Sequence, residues 1–130
     1  MKALTICQPF AELIARELKR VENRSWRTHY RGPLAIHAGL SREWLGEDYG
    51  LDVDRFDFGA VIATCTLVEC FSIEQIRAGD LPAEYDWLST HDHAHGPQCW
   101  VLANVKWLVD PIPCKGRQGL WNWSPPAGVA

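Results

Sequence analysis

Glu22, Arg24 and Trp26 occupy alternate positions in the stretch VENRSWRTHYRGPLAIHA, residues 21–38. In an extended chain alternate side chains share a face, so an acid, a guanidinium and an indole would lie side by side. The acid can accept hydrogen bonds from the amino or imino edge of a base, and the guanidinium offers a planar fork to a phosphate or a base edge. The indole offers a stacking face, worth about 1–3 kcal/mol per base. The three together could read one nucleobase while Lys19, Arg27 or Arg31 holds a phosphate. The same residue types also describe a Glu–Arg pair with a tryptophan closing a barrel end, and types alone leave both readings open.

Three other groups of residues invite a chemical reading. Lys19 with Glu22 and Glu69 could do acid–base work if the lysine sits near a carboxylate in a half-buried pocket. The alternative is an ordinary surface ion pair. His91-Asp92-His93-Ala94-His95 would align three imidazoles if extended, but no carboxylate or cysteine stands at a matching ligand spacing. A solvent-facing loop is the expectation there, with no metal site and no cofactor. Seven tryptophans are many for this length. Trp26, Trp44 and Trp87 have polar neighbours and are expected at the surface, Trp100 and Trp107 in the core, and Trp121 and Trp123 on one common side. Aromatics beside Arg and Lys suit single-stranded nucleic acid, and they suit a packed core equally well. There is no P-loop, no G-x-G-x-x-G, no G-x-S-x-G and no H-E-x-x-H.

The totals frame these residues. A chain of 130 residues, 47% hydrophobic and 22% charged, suits one domain with its own core. The net charge of −3 argues against binding nucleic acid by bulk charge alone. The distribution says more: residues 16–31 hold six cations against two acids, and residues 43–57 hold six acids against Arg55. Five cysteines without C-x-x-C spacing point to reduced thiols rather than a disulfide framework. Gln8, Pro9 and Glu12 interrupt the first apolar run, so no signal peptide is expected, and no stretch approaches a membrane span. A cytoplasmic location follows by default. A monomer is the expectation, with a dimer as the alternative.

The elements that must position these groups can be read in order. Lys2–Ile6 is a strand; Pro9 opens a helix whose apolar positions Phe10, Leu13, Ile14, Leu18 and Val21 keep helical spacing. Val21–Thr28 and Leu34–Ala38 read as strands around a turn at Tyr30–Pro33, and Ser41 caps a short helix to about Glu47. Tyr49–Asp57 reads as an acidic loop. Gly59–Phe71 is rich in β-formers, and Ser72 with Gln75 makes a capping box for a short helix. Residues 79–96 read as loop, Gln98–Val109 as a strand ended by Pro111 and Pro113, and residues 119–123 as a last strand. The expected class is α+β, a small, curled, mostly antiparallel sheet with short flanking helices. Such a sheet can close into a barrel.

Several spaced motifs together resemble the ASCH domain family. They are Gln8-Pro9-Phe10, then Lys19, Glu22, Arg24 and Trp26 in the Lys-x-x-Glu-x-Arg-x-Trp pattern, then Tyr30-Arg31-Gly32 and Ile36-His37-Ala38. Later stretches also look like the family: GAVIATCTLVEC, GPQCW at residues 96–100, and the run from Pro111 to Trp121. The resemblance implies a PUA-like small β-barrel spanning residues 1–124, with 125–130 as a flexible tail. It implies a cleft where Lys19, Glu22, Arg24 and Arg31 come together. Relatives of that fold bind RNA, and some hold a single base, often a modified one.

The leading expectation is therefore binding of RNA, single-stranded nucleic acid or a nucleotide. The residues expected to carry it are Lys19, Glu22, Arg24, Trp26, Arg27, Tyr30, Arg31 and His37. A second is a metal-independent hydrolase. One branch resembling the family cleaves acylated cytidine through a Lys-x-x-Thr motif and a distant Glu, which implies Lys19 and Glu69 here. Glu22 stands where that threonine would be, and a carboxylate cannot replace an attacking hydroxyl. A ribonuclease using Lys19 with His37 or Tyr30 belongs to the same class. A third is a protein-interaction module built on the tryptophans.

Overall fold

The computed structural model of the protein describes residues 1–46 and 52–128. Its centre is a six-stranded sheet in the order β2-β5-β4-β3-β1-β6. The strands are β1 (Lys2–Ile6), β2 (Val21–Arg24), β3 (Gly32–Ala38), β4 (Ala60–Ser72), β5 (Gln98–Pro113) and β6 (Leu120–Asn122). Only β1 and β3 run parallel; every other pair is antiparallel. Register shifts at Ile36/His37, Val61/Ala63, Thr64/Thr66 and Leu67/Glu69 insert unpaired residues, which bends β3, β4 and β5 into a curl. The sheet forms a half-barrel: β2 and β6 end the strand order and do not pair with each other.

Alternation along β3 explains its central place. Leu34, Ile36 and Ala38 enter the main core with Leu4, Ile14, Ile62, Leu67 and Trp100. Ala35 faces the other way, under Ala3, Val61, Trp121 and Trp123. A strand buried on both sides reads as a continuous apolar run, as LAI does here. Trp121 and Trp123 do lie together, and both are buried. Helix α1 (Phe10–Ala15) covers the main core with Ala11, Ile14 and Ala15. Burying one such isoleucine contributes about 1.5–3 kcal/mol. Helix α2 (Ile73–Ala78) starts at the expected capping box, with Ser72 Oγ accepting from Gln75 N–H at 3.1 Å. It ends at Gly79 in the left-handed conformation, φ 75°.

Four expectations are corrected. The first helix stops at Ala15 rather than running on towards Val21, and Leu18 is exposed. Glu17 takes a positive φ of 61°, and the Leu18 N–H turns back to Leu13 O at 3.0 Å, a Schellman-type reversal. Val21–Thr28 is extended only as far as Arg24, so Trp26 lies beyond the ladder. Pro111 and Pro113 fall inside β5 rather than ending it. Beyond residue 102 that strand has no partner on its second side among the described residues, and proline is tolerated on such an edge. The same edge leaves Trp107 46% exposed instead of in the core, with the Arg16 guanidinium 5.1 Å from its ring centroid.

The short helix expected after Ser41 falls partly on undescribed residues. Among the described ones, Glu43 and Trp44 form a turn. Within the expected loop of residues 79–96, Ala83–Thr90 winds as 3-10 helix and buries Leu88 against Val21, Ile73 and Ile76. Residues 124–128 carry no helix or strand.

Candidate functional site

The reversal at Glu17 drives Lys19 inward instead of leaving it on a helix surface. Its side chain is 5% exposed; Nζ donates to the carbonyl of Val21 and pairs with Glu22 Oε1 at 3.3 Å. Glu22 uses its second oxygen, Oε2, to accept from Arg24 Nη2 at 3.1 Å. Arg24 Nη2 also donates to Thr5 O at 3.0 Å, tying β2 across to the end of β1. Arg24 Nε is buried without a hydrogen-bond partner. The carboxylate thus sits between two cations, and the guanidinium keeps unused donor capacity. Burial holds the Lys19 ammonium below its ordinary range, against the upward pull of Glu22.

These three residues form one wall of an open cleft of about 680 Å³, inside the roughly 300–1,000 Å³ usual for small-molecule sites. The floor comes from the ends of the parallel pair: Thr5, Ile6 and Cys7 after β1, and Gly39, Leu40 and Ser41 after β3. Phe10 at the start of α1 lines it too, with its ring edge-on to Trp44 at 5.7 Å. The lining is therefore mixed, with charged side chains from Lys19, Glu22 and Arg24 and apolar ones from Ile6, Phe10 and Leu40. Burial, then the nearby Glu22 carboxylate, pushes the Cys7 thiol up, so it stays protonated at neutral pH.

The remaining expected site residues divide between the structure's surface and its interior. Arg31 and Glu69 pair with each other at 2.8 Å and do not line the cleft. Lys19 therefore meets Glu22, not Glu69. Arg31 also braces its own loop, donating to the carbonyls of Thr28 and Tyr30, both at 2.9 Å. Tyr30 donates its hydroxyl to Pro33 O at 2.5 Å. Arg27 is exposed. Trp26 is 41% exposed and stands edge-on to Trp100 at 4.7 Å, away from the lining.

His37 is buried beneath the segment joining β5 to β6. Thr5 Oγ1 accepts from Trp121 Nε1 at 3.2 Å, which leaves its own proton for His37 Nδ1 at 3.2 Å. His37 Nε2 then donates to Cys114 O at 2.8 Å. Gly116 passes so close that a Cβ there would fall 2.7 Å from the ring. This histidine holds the chain's last third against β1.

Asn23, His93 and His95 were not legible as residues of this site. Asn23, between Glu22 and Arg24, clamps the loop of residues 93–96. Its Oδ1 accepts from His95 N at 3.0 Å and Gly96 N at 2.8 Å, while Nδ2 donates to His93 O at 2.8 Å. The clamp brings His93 and His95 to the cleft's edge, where both line it. The third histidine, His91, turns away and accepts the Arg20 N–H at 3.0 Å. No group of three or more metal-ligating side chains occurs among the described residues. No helix among them is long and apolar enough to cross a membrane.

A curled, mostly antiparallel half-barrel with short helices and a cleft at one end of its parallel pair defines a PUA-like protein. The chain belongs to the ASCH domain family, whose pattern matches residues 4–112. It is 29% identical to the human (Homo sapiens) and mouse (Mus musculus) proteins called Activating signal cointegrator 1, over 92% of this chain. It spans only about 22% of the length of those relatives. A crystal structure of a point mutant of ZmASCH from Zymomonas mobilis superposes with a TM-score of 0.56 at 16% identity. That match covers 95% of this chain and 89% of the other, and it shows the shared fold.

Proposed function

We propose that this chain binds RNA, single-stranded nucleic acid or a nucleotide in the cleft beside β2. One observation carries the reading: Lys19, Glu22 and Arg24 are joined by ion pairs and line an open hollow whose lining also includes the apolar side chains of Ile6, Phe10 and Leu40. A flat heterocycle matches such a site. Its face would lie against Phe10 and Leu40 and its edge towards Glu22 and Arg24. The ionic wall carries two cations and one carboxylate, which favours an anionic ligand such as a phosphodiester. Family membership supports the same reading by analogy of fold.

The test is a titration with a short single-stranded RNA at two salt concentrations. Affinity should fall with salt, since phosphate contacts release counterions. Arg24→Ala should weaken binding by at least about tenfold, roughly 1.4 kcal/mol. Arg24→Lys, which keeps the charge and loses the fork, should fall between. Trp26→Ala should stay within about twofold of the parent, because the ring does not line the cleft. No binding by the parent, or full binding by Arg24→Ala, defeats the reading.

A hydrolase reading draws on a different observation, the buried Lys19 with its depressed pKa at the cleft wall. Its acid–base companion there would be Glu22. Cleavage of RNA or of an acylated nucleoside that is lost in Lys19→Met and survives a chelator would carry it.

A further inference from the structure

We propose that His93 and His95 form the phosphate-contacting edge of the cleft, so that the protein prefers phosphorylated ligands over neutral nucleosides. This rests on the reading of the cleft as a nucleic-acid site. Three observations carry it. Both residues line the cleft together with Lys19 and Arg24, and the Lys19 ammonium is near enough to act on the His93 imidazole. Asn23 bonds the backbones of His93, His95 and Gly96, which fixes this stretch of loop at the cleft edge. Neither ring makes a side-chain hydrogen bond among the described residues; His93 only packs at a tilt against His91, 5.7 Å between centroids. Both imidazoles therefore keep ring nitrogens for a ligand, and a protonated imidazole donates two hydrogen bonds to a phosphate.

The surroundings set the response to pH. Lys19, Glu22, Arg24 and Cys7 line the same cleft as the rings. His91 and Asp92 flank them on their own loop. Cys99 lies at the start of β5, and Arg20 is engaged over the Trp87 ring at 3.7 Å. Burial keeps the His93 imidazole below its ordinary value; Lys19 and His95 push the same way, and Asp92 opposes them. The empty cleft therefore disfavours the imidazolium at His93. A phosphate beside the ring favours it, so binding takes up a proton and affinity rises as pH falls.

The experiment measures binding of a short oligouridylate, whose bases do not titrate in the range used, at about pH 5 and about pH 8 and fixed ionic strength. Uridine is the neutral comparison. The parent should bind the oligomer about tenfold or more tighter at the acid pH, with little change for uridine. His93→Gln combined with His95→Gln should give one affinity at both pH values, near the parent's alkaline one. Because that variant could disturb the loop, proton NMR of the parent gives a second readout. The His93 imidazole should titrate at higher pH with the oligomer bound than without it. An oligomer affinity that ignores pH, an unchanged pH response in the double variant, or an unmoved His93 titration overturns the proposal and leaves the cleft reading standing. Failure of the parent to bind at either pH overturns both.

Discussion

Glu22→Ala is expected to destabilise the protein by about 3–5 kcal/mol, the usual result of removing one partner from a buried ion pair. Lys19 is 5% exposed and Glu22 11%, so water cannot replace the lost carboxylate. The same substitution removes a partner of Arg24, whose Nε is already unsatisfied. The sign of the pH dependence follows from Lys19. Its folded pKa already lies below the ordinary lysine value of 10.5, because burial outweighs Glu22. Without Glu22 it falls further. The unfolded chain then holds the Lys19 proton over a wider range than the folded one. The deficit of the variant should therefore be full below its own lowered folded pKa, shrink as pH rises from there to the parent's folded pKa, and stay constant from that point up to 10.5. Urea unfolding across that range measures it. Adding Lys19→Met to Glu22→Ala should recover a large part of the loss, since no buried charge remains. Equal instability in the single and double variants would show that the pair is not coupled.

The second large effect is expected at Gly96. It takes a φ of +79°, and a Cβ built there would lie 2.6 Å from Cβ of Ile73. Ile73 is buried in the core under α2 and its N–H is bonded to Pro97 O at 2.9 Å, so neither side has room to yield. Gly96→Ala adds a strained backbone to an overpacked contact, together about 2–4 kcal/mol. The Gly96 N–H is also one of the three bonds that hold the histidine loop to Asn23. The variant should thus lose stability in urea and also loosen the cleft edge. Gly79→Ala is the comparison: it has a similar φ of +75° but nothing within 4 Å of a built Cβ. It should cost about 1–2 kcal/mol, the backbone part alone. Equal losses at the two sites would mean the Ile73 contact is unimportant.

Local chemistry was legible in the sequence, and long-range placement was not. β1 spans the expected Lys2–Ile6, and the Ser72–Gln75 capping box forms as its spacing requires. Both depend on neighbours within a few residues. The first helix was read too long because Leu18 and Val21 keep helical spacing, and nothing local announces that Glu17, a non-glycine residue, will take a left-handed turn. Trp107 looked like core because it stands in a strand. Its exposure follows from β2 being only four residues long and leaving half of β5 uncovered.

The site divides in the same way. Glu22 and Arg24 stand two apart on β2, so their shared face follows from the strand period, whereas Lys19 lies before that strand and its place beside them is what the family resemblance implies. Arg31 and Glu69, 38 positions apart, turn out to satisfy each other. The His91–His95 alternation suggests a metal trap or a solvent-facing loop, and nothing local points to the β2 cleft. His93 and His95 reach the cleft through Asn23, about 70 positions earlier in the chain. Asn23 itself points to the opposite side from Glu22 in a simple two-residue alternation, which hid its role.

Mapping by NMR is the most direct trial of where a ligand lands. Backbone amide shifts would be followed while a short single-stranded RNA is added to the full chain. Binding as described predicts that the perturbed amides gather at residues 5–7, 19–24, 39–41 and 93–96. Shifts confined to the Arg31–Glu69 pair, or to the exposed face of Trp107 and Val109, with the cleft residues unmoved, would contradict it.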